Sequence, residues 1–184
     1  MRYLLAAINA KYIHSNLGIY SLRRYAMERL GLGQKDEQGA AVGMEMVSEA
    51  AEGANRTKTV SEIQIDFGEY TINHQMAQIL QDIYRRKPDV VGFSCYIWNI
   101  GYVKELIHDL KKVLPQVRIW MGGPEASYDA VHLMDELPEV ELIMQGEGEE
   151  TFTRLVEACE CGTEVCFSEL PGIVLRRSDG TIEV

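Results

Sequence analysis

Short apolar runs alternate along the chain with stretches of helical spacing, and this alternation constrains the fold more than any other feature. Most of the runs are continuous and are typical of strands covered on both faces, whereas "VSEIQIDF" alternates and predicts a half-buried edge strand. Parallel strands need right-handed crossovers, which the intervening helices supply. The sequence therefore predicts an α/β fold, a five-stranded parallel sheet with helices on both faces. The strands are expected in "YLLAAI", "VSEIQIDF", "DVVGFSC", "VRIWMGG" and "VELIMQ".

The expected helices carry several local predictions. Ser15 or Asn16 is the candidate N-cap of the first helix, and Asn99 is expected to cap the third. "EASYDAVHLMDEL" is expected to form one helix. No function is assigned to the histidines that fall within expected helices, far from the strand ends, which are His74, His108 and His132.

Two segments depart from the alternation. Residues 33–58 contain Gly, Ala, Glu and Gln without an apolar period, which predicts a mobile surface insertion. "PGIVLRRSDGTIEV" has two strand-like runs around a Ser-Asp-Gly turn, which predicts a β-hairpin over residues 171–184. We therefore expect one domain over residues 1–170 followed by the hairpin. Because the chain stops on a strand, we expect a fragment of a longer protein.

The charge balance bears on possible partners. The chain of 184 residues has 28 acidic and 18 basic side chains, a formal net charge of −10. Nucleic-acid binders concentrate Lys and Arg to displace counterions from phosphates, so no nucleic-acid partner is expected. No apolar stretch approaches the roughly 20 residues of a membrane span, and no secretory signal is present. We expect a cytoplasmic protein without a membrane partner.

The cysteines and the absent motifs argue against several chemistries. The spacing C-x-C-x4-C fits neither a disulfide framework nor a zinc ribbon, and we expect Cys95 and Cys159 to behave as buried small hydrophobic residues. No Cys/His pair, G-x-S-x-G elbow or P-loop occurs. Nucleophilic catalysis and phosphoryl transfer therefore lack their residues. The remaining cysteines are Cys161 and Cys166.

The unusual residues follow the expected strands. The loops "NAKYIHSN", "SCYIWN", "GGPEAS" and "GEGE" come after the first, third, fourth and fifth strands. In an open parallel sheet the ligand crevice lies at the carboxyl ends of the strands, where the strand order reverses. The sequence therefore predicts that these loops share one rim and form a binding site.

Each loop also has a structural interpretation. Gly122 and Gly123 form either a tight turn or a place where a ligand approaches the backbone, with helix amides available to an anion. Glu147 and Glu149 either cap a helix or accept hydrogen bonds from a ligand. His14 is a candidate ligand or base, although a lone histidine more often has a structural role.

Taken together, "AINAKYIHSNLGIYSLRRY", "VVGFSCYIWN", "WMGGPEAS", "MQGEGEETF" and "LPGIVLR" resemble the N-terminal cobalamin-binding domain of cobalamin-dependent radical S-adenosylmethionine proteins. The resemblance spans nearly the whole chain except residues 33–58. It implies a flavodoxin-like (Rossmann-like) three-layer fold with the sheet order 2-1-3-4-5. It also implies that cobalamin rests over the strand ends, with its nucleotide tail running into the protein.

The resemblance also implies roles for the loop residues. The "SCYIWN" loop would line the tail or the corrin, the paired glycines would let the tail pass, and the glutamates would meet the corrin amides. The motif D-x-H-x-x-G of other cobalamin proteins is absent, so His14 is not expected to coordinate cobalt, and the resemblance implies a family in which cobalt is often left without a protein ligand. The candidate cofactor-binding residues are Asn9, Lys11, His14, Asn16, Ser94, Tyr96, Trp98, Asn99, Gly122, Gly123, Pro124, Glu125, Gly146, Glu147, Gly148 and Glu149.

The cluster motif C-x3-C-x2-C does not occur in the chain. The resemblance therefore implies that S-adenosylmethionine and a [4Fe-4S] cluster belong to a C-terminal radical domain, the expected partner, in a parent enzyme such as a methyltransferase. Two alternatives remain open. One is a flavodoxin-like FMN or nucleotide-binding module that uses "GGPE" as a phosphate nest. The other is a degenerate domain that binds no cofactor and only docks its partner domain.

Overall fold

A computed structural model describes residues 1–11, 15–32, 63–161, 167 and 170–184. The insertion expected over residues 33–58 lies outside the described residues. Strands and helices alternate as the sequence predicts. The elements are β1 (Arg2–Asn9), α1 (Leu17–Arg29), β2 (Gln64–Thr71), α2 (Met76–Arg86), β3 (Val90–Ser94), α3 (Ile100–Val113), β4 (Arg118–Gly122), α4 (Pro124–Tyr128), α5 (Ala130–Glu136), β5 (Val140–Met144), α6 (Gly148–Cys161), β6 (Ile173–Arg176) and β7 (Ile182–Glu183).

The strands form one sheet in the order β2-β1-β3-β4-β5-β6-β7. The first five strands are parallel, which confirms the order 2-1-3-4-5. The C-terminal hairpin differs from expectation in one respect. The predicted sheet has five strands, whereas the hairpin extends the described sheet to seven, with β6 antiparallel to β5 and β7 antiparallel to β6. The physical reason is that β6 pairs with backbone groups of β5 that an edge strand would leave unpaired.

Two apolar cores flank the sheet, as a continuous apolar strand requires. Alternate residues of β1 point to opposite faces, so Leu4 packs into one core and Leu5 into the other. The first core contains buried side chains of α2, α3 and α5, and the second contains those of α1 and α6. This arrangement confirms the three-layer fold.

Two helices differ from expectation, one because it is divided in two and the other because it begins later in the sequence. Residues 124–136 form two helices, α4 and α5, because the backbone of Asp129 leaves the helical region with φ −138° and ψ 62°. Helix α2 begins at Met76, so His74 lies in the loop that follows β2. The expectation that His74 lies in a helix far from the strand ends was therefore wrong. The His74 Nδ1 accepts a hydrogen bond from the Thr71 amide at 3.0 Å and so tightens this loop.

Among the residues that the structure describes, no helix is long and apolar enough to cross a bilayer. The cytoplasmic location stays a prediction.

Cys95 is a buried small residue at the end of β3, as expected, and burial raises the pKa of its thiol to about 12. Cys159 is half-buried and accepts a hydrogen bond from Arg118 at 3.0 Å. Cys166 lies outside the described residues.

Because the thiolate is the reactive form, we expect Cys95 to resist alkylation by iodoacetamide in the native protein and to react once urea unfolds the chain. Peptide mapping by mass spectrometry measures both, and native labelling of Cys95 would contradict its burial.

Candidate functional site

The loops that the sequence singles out do meet at one edge of the sheet. Ser94 at the end of β3 is in register with Ala7 of β1 on one side and with Gly122 of β4 on the other. The strand order reverses between β1 and β3, because β2 and β3 lie on opposite sides of β1. The carboxyl ends of the strands therefore form a common rim beside the reversal point, where open α/β sheets bind ligands.

A close backbone contact joins the loops after β3 and β4. The Cys95 amide donates to the Gly122 carbonyl at 2.7 Å, and the Glu125 amide donates to the Cys95 carbonyl at 3.3 Å. Gly123 has φ +97°, and a Cβ there would lie 2.6 Å from the Cys95 carbonyl oxygen. Gly123 is therefore required for the approach of two protein backbones, a structural role that the sequence analysis left open.

Asn99 lies at the N-cap position of α3 and is fully buried. Its side chain does not cap the helix. Its Oδ1 accepts from the Tyr96 amide at 2.8 Å, and its Nδ2 donates to the carbonyls of Ile8 and Ser94 at 3.0 and 2.9 Å. The expectation of a side-chain cap was wrong, because the nearby loop carbonyls engage the amide instead. Asn99 fixes the loop after β3 to β1, and its polar atoms are occupied by the protein itself.

Large apolar side chains are exposed around the rim. Leu17 is 78% exposed, Ile97 79%, Trp98 48% and Tyr128 92%, and we call these four residues the apolar rim. The Trp98 ring stacks on Tyr96 with the centroids 4.4 Å apart and an interplanar angle of 10°. Leu17 is the first residue of α1, Ile97 and Trp98 lie in the loop after β3, and Tyr128 ends α4. An exposed apolar surface beside a crevice is typical of a site that takes a large apolar ligand.

A hydrogen-bonded chain of polar side chains crosses the rim. Asn16 is the N-cap of α1, as predicted, and its Nδ2 donates to the Ser94 hydroxyl at 3.0 Å. Glu69, near the end of β2, accepts from the Asn16 amide at 2.8 Å, from Asn9 Nδ2 at 3.1 Å and from the Tyr20 hydroxyl at 2.6 Å. The chain thus connects β2, β1, α1 and β3 at the same edge of the sheet.

The charge of Glu69 is stabilised by these donors. Burial alone would raise the pKa of its carboxyl, but the hydrogen bonds from Tyr20, Asn16 and Asn9 outweigh burial and hold the pKa below its usual range. Sequence reasoning missed Glu69 and Tyr20. Because Glu69 lies on an alternating edge strand, a carboxylate there is typical of a solvated face. The only available signal was its position close to the end of a strand.

The loop after β5 opens onto a cleft between α1 and α6. The cleft has a volume of about 810 Å³. Glu149 at the start of α6 accepts a hydrogen bond from Ser21 of α1 at 2.6 Å, and Leu22 packs close to Gly148. Gly146 has φ +75°, and apart from its two chain neighbours no atom of the described residues lies within 4 Å of the place where a Cβ would lie. The cleft lining consists of Ser21, Tyr25, Glu147, Glu149, Glu150, Thr151, Arg154, Leu170 and Pro171.

The remaining candidate cofactor-binding residues differ in their exposure to solvent, and one of them is not described by the structure. Lys11 and Pro124 are exposed near the strand ends, and Glu125 is half-buried beside Cys95. His14 lies outside the described residues. Among the side chains that are described, no group of three or more His, Cys, Asp or Glu is arranged to hold a metal ion.

The chain is similar in sequence to known proteins. The sequence profile of the family described as B12 binding domain matches residues 3–156. The cobalamin-dependent radical SAM methyltransferase TokK of Streptomyces tokunonensis is 30% identical over 91 residues, 50% of this chain and 13% of that protein. Hopanoid C-3 methylase of Methylococcus capsulatus is 28% identical over 141 residues, 76% of this chain and 25% of that protein. The chain thus spans a quarter or less of these relatives.

A solved structure shares the fold. The structure of the cobalamin-dependent S-adenosylmethionine radical enzyme OxsB superposes with a TM-score of 0.65 and 16% identity, covering 99% of this chain and 21% of that one.

Proposed function

This chain belongs to the B12-binding domain family, and from that membership we propose that it holds cobalamin against the carboxyl ends of β1, β3, β4 and β5. The observation that carries the proposal is the apolar rim, because three of its four residues, Leu17, Ile97 and Trp98, follow β1 and β3, the strands between which the order reverses. Cobalamin combines a broad apolar face with many amide side chains. A site with exposed apolar residues and a few fixed polar groups suits both.

The polar groups of the site fit the same ligand. The Ser94 oxygen accepts from Asn16, so its own proton is available to a ligand acceptor. Glu147 is exposed and offers an acceptor to the corrin amides. Open space at Gly146 lets a ligand approach the backbone of the loop after β5, and the cleft between α1 and α6 offers room for the nucleotide tail.

We further propose that residues 1–170 are the cobalamin-binding module of a larger enzyme, and that the hairpin leads toward a radical S-adenosylmethionine domain. Support comes from the similarity to TokK and hopanoid C-3 methylase, named as a methyltransferase and a methylase. In such an enzyme cobalamin supplies a cobalt centre that carries a methyl group. The residues of this chain bind and orient it, and the partner domain supplies the iron-sulfur cluster.

Binding of hydroxocobalamin tests the proposal. We expect the chain to keep a corrin absorption spectrum after desalting. Trp98→Ala should weaken binding about tenfold, because it removes apolar surface from the rim. Tyr84→Ala is the matched control, since Tyr84 is 49% exposed but lies in the last turn of α2, at the other end of the sheet. Its affinity should equal that of the wild type.

Other outcomes would favour the alternatives. A yellow flavin spectrum after incubation with FMN, with no retained corrin, would replace cobalamin by a flavin. Retention of neither cofactor would favour a domain that only docks its partner. Equal affinity in Trp98→Ala and the wild type would place the ligand away from the rim.

A further inference from the structure

Glu69 is unusual because donors from three separate places converge on it. Its Oε1 accepts from Asn9 at the end of β1 and from the amide of Asn16, and its Oε2 accepts from Tyr20 in the first turn of α1. Hydrogen bonds to an ionised carboxylate are about twice as strong as neutral ones. The carboxylate therefore fixes both ends of the connection between β1 and α1.

Asn16 connects Glu69 to Ser94, a residue of the proposed cofactor site. The Asn16 side chain is buried and donates to the Ser94 hydroxyl at 3.0 Å, while its Oδ1 accepts from the Ile19 amide at 3.4 Å. The backbone of Asn16 is fixed by Glu69, so the direction of the Asn16 side chain is fixed as well. The Ser94 oxygen is the acceptor of this bond, so its hydroxyl proton points away from Asn16.

We propose that Glu69 is a positioning residue for the cofactor, which holds Asn9 and Asn16 and, through Asn16, the Ser94 hydroxyl that meets the ligand. The inference rests on the cobalamin-binding function proposed above. Glu69 acts through its neighbours and does not itself contact cobalamin. Its contribution depends on its negative charge, because a neutral amide oxygen in place of Oε1 accepts the bonds from Asn9 and Asn16 more weakly, and an amide nitrogen in place of Oε2 cannot accept from Tyr20.

A merely structural role makes a different prediction. If Glu69 only held the edge strand to the sheet, its replacement would lower stability without changing the affinity of the folded protein. Asp66 offers a matched control, because it is an exposed carboxylate on the same strand. Glu69→Gln should weaken hydroxocobalamin binding about tenfold, a loss expected for hydrogen bonds to a charged group, while Asp66→Asn should leave the affinity unchanged.

A double-mutant cycle tests the route through Ser94. We expect Glu69→Gln to weaken binding about tenfold in the wild-type background but less than about threefold when Ser94→Ala is already present. Such coupling in ligand affinity is not produced by a general loss of stability. Equal losses in both backgrounds would overturn the proposal, and so would an unchanged affinity in Glu69→Gln.

A measurement without cofactor separates this inference from the proposed function. Amide hydrogen exchange in the cofactor-free chain should be faster at Asn16 in Glu69→Gln than in the wild type or in Asp66→Asn. Unchanged exchange at Asn16 would overturn the positioning role. Failure of the wild type to bind hydroxocobalamin would instead overturn the proposed function. Hydrogen exchange would in that case still show whether Glu69 holds the backbone of Asn16 in place.

Discussion

Gly123→Ala is expected to lower the free energy of unfolding by about 3 kcal/mol. Two costs contribute, because the alanine would have to adopt φ +97° and its Cβ would meet the Cys95 carbonyl oxygen at 2.6 Å. The clash involves backbone, so no side-chain rotation relieves it. Urea unfolding followed by circular dichroism measures the loss. We also expect weaker cobalamin binding, since the loops after β3 and β4 must move apart.

The neighbouring glycine is the control for this substitution. A Cβ on Gly122 would lie 3.5 Å from the Met144 side chain, an ordinary contact, and Gly122 has no positive φ. Gly122→Ala should therefore cost less than about 1 kcal/mol. If Gly123→Ala unfolds at the same urea concentration as Gly122→Ala, the two loops do not approach each other as described.

Replacement of Asn99 by Asp is expected to destabilise the domain even more. Asn99→Ala removes three hydrogen bonds from a fully buried site, which should cost about 3 kcal/mol. Asn99→Asp keeps the bond to the Tyr96 amide but places a carboxylate oxygen against the carbonyls of Ile8 and Ser94. We expect a larger loss for Asp than for Ala at neutral pH, because a buried charge faces two acceptors.

The pH dependence identifies this cause. Burial and the facing carbonyls should raise the pKa of the introduced carboxyl in the folded state above its unfolded value. The loss in free energy of unfolding caused by Asn99→Asp should then become smaller as the pH falls toward about 5, because the protonated carboxyl donates to a carbonyl. Thermal melts at several pH values measure this change. Asn73→Asp, an exposed replacement of the same type, should show no comparable trend.

The sequence predicts most of the fold because the spacing of its apolar residues shows which faces of each strand and helix are buried. Continuous apolar runs mark β1, β3, β4 and β5, and the alternating run marks β2 as the edge strand. The break between α4 and α5 at Asp129 was not predicted, because the apolar spacing continues across it. The hairpin was predicted, but its pairing with β5 was not, since local pattern does not say which edge a strand joins.

The candidate site is predictable in position and less so in its internal contacts. The topology rule places the loops on one rim, and the structure brings them there. The partners of Asn99 and Glu69 could not be read from the sequence, because a side chain that bonds to distant backbone has no periodic signature. The individual cofactor contacts stay predictions.

The edge position of β2 has a consequence for how the domain folds and opens. Among the strands that the structure describes, β2 pairs only with β1, and Arg2 lies opposite Gln64, so forming this pair closes a loop of about sixty residues. Such a contact is slow to form, and an edge strand with one neighbour is where a sheet separates most readily. Since Glu69 is on this strand, its release would remove the hydrogen bond that holds the Asn16 amide, while the bonds of the Asn16 side chain to Ser94 and Ile19 would remain. We therefore expect separation of the edge strand from the sheet to loosen the backbone of Asn16 beside the cofactor site.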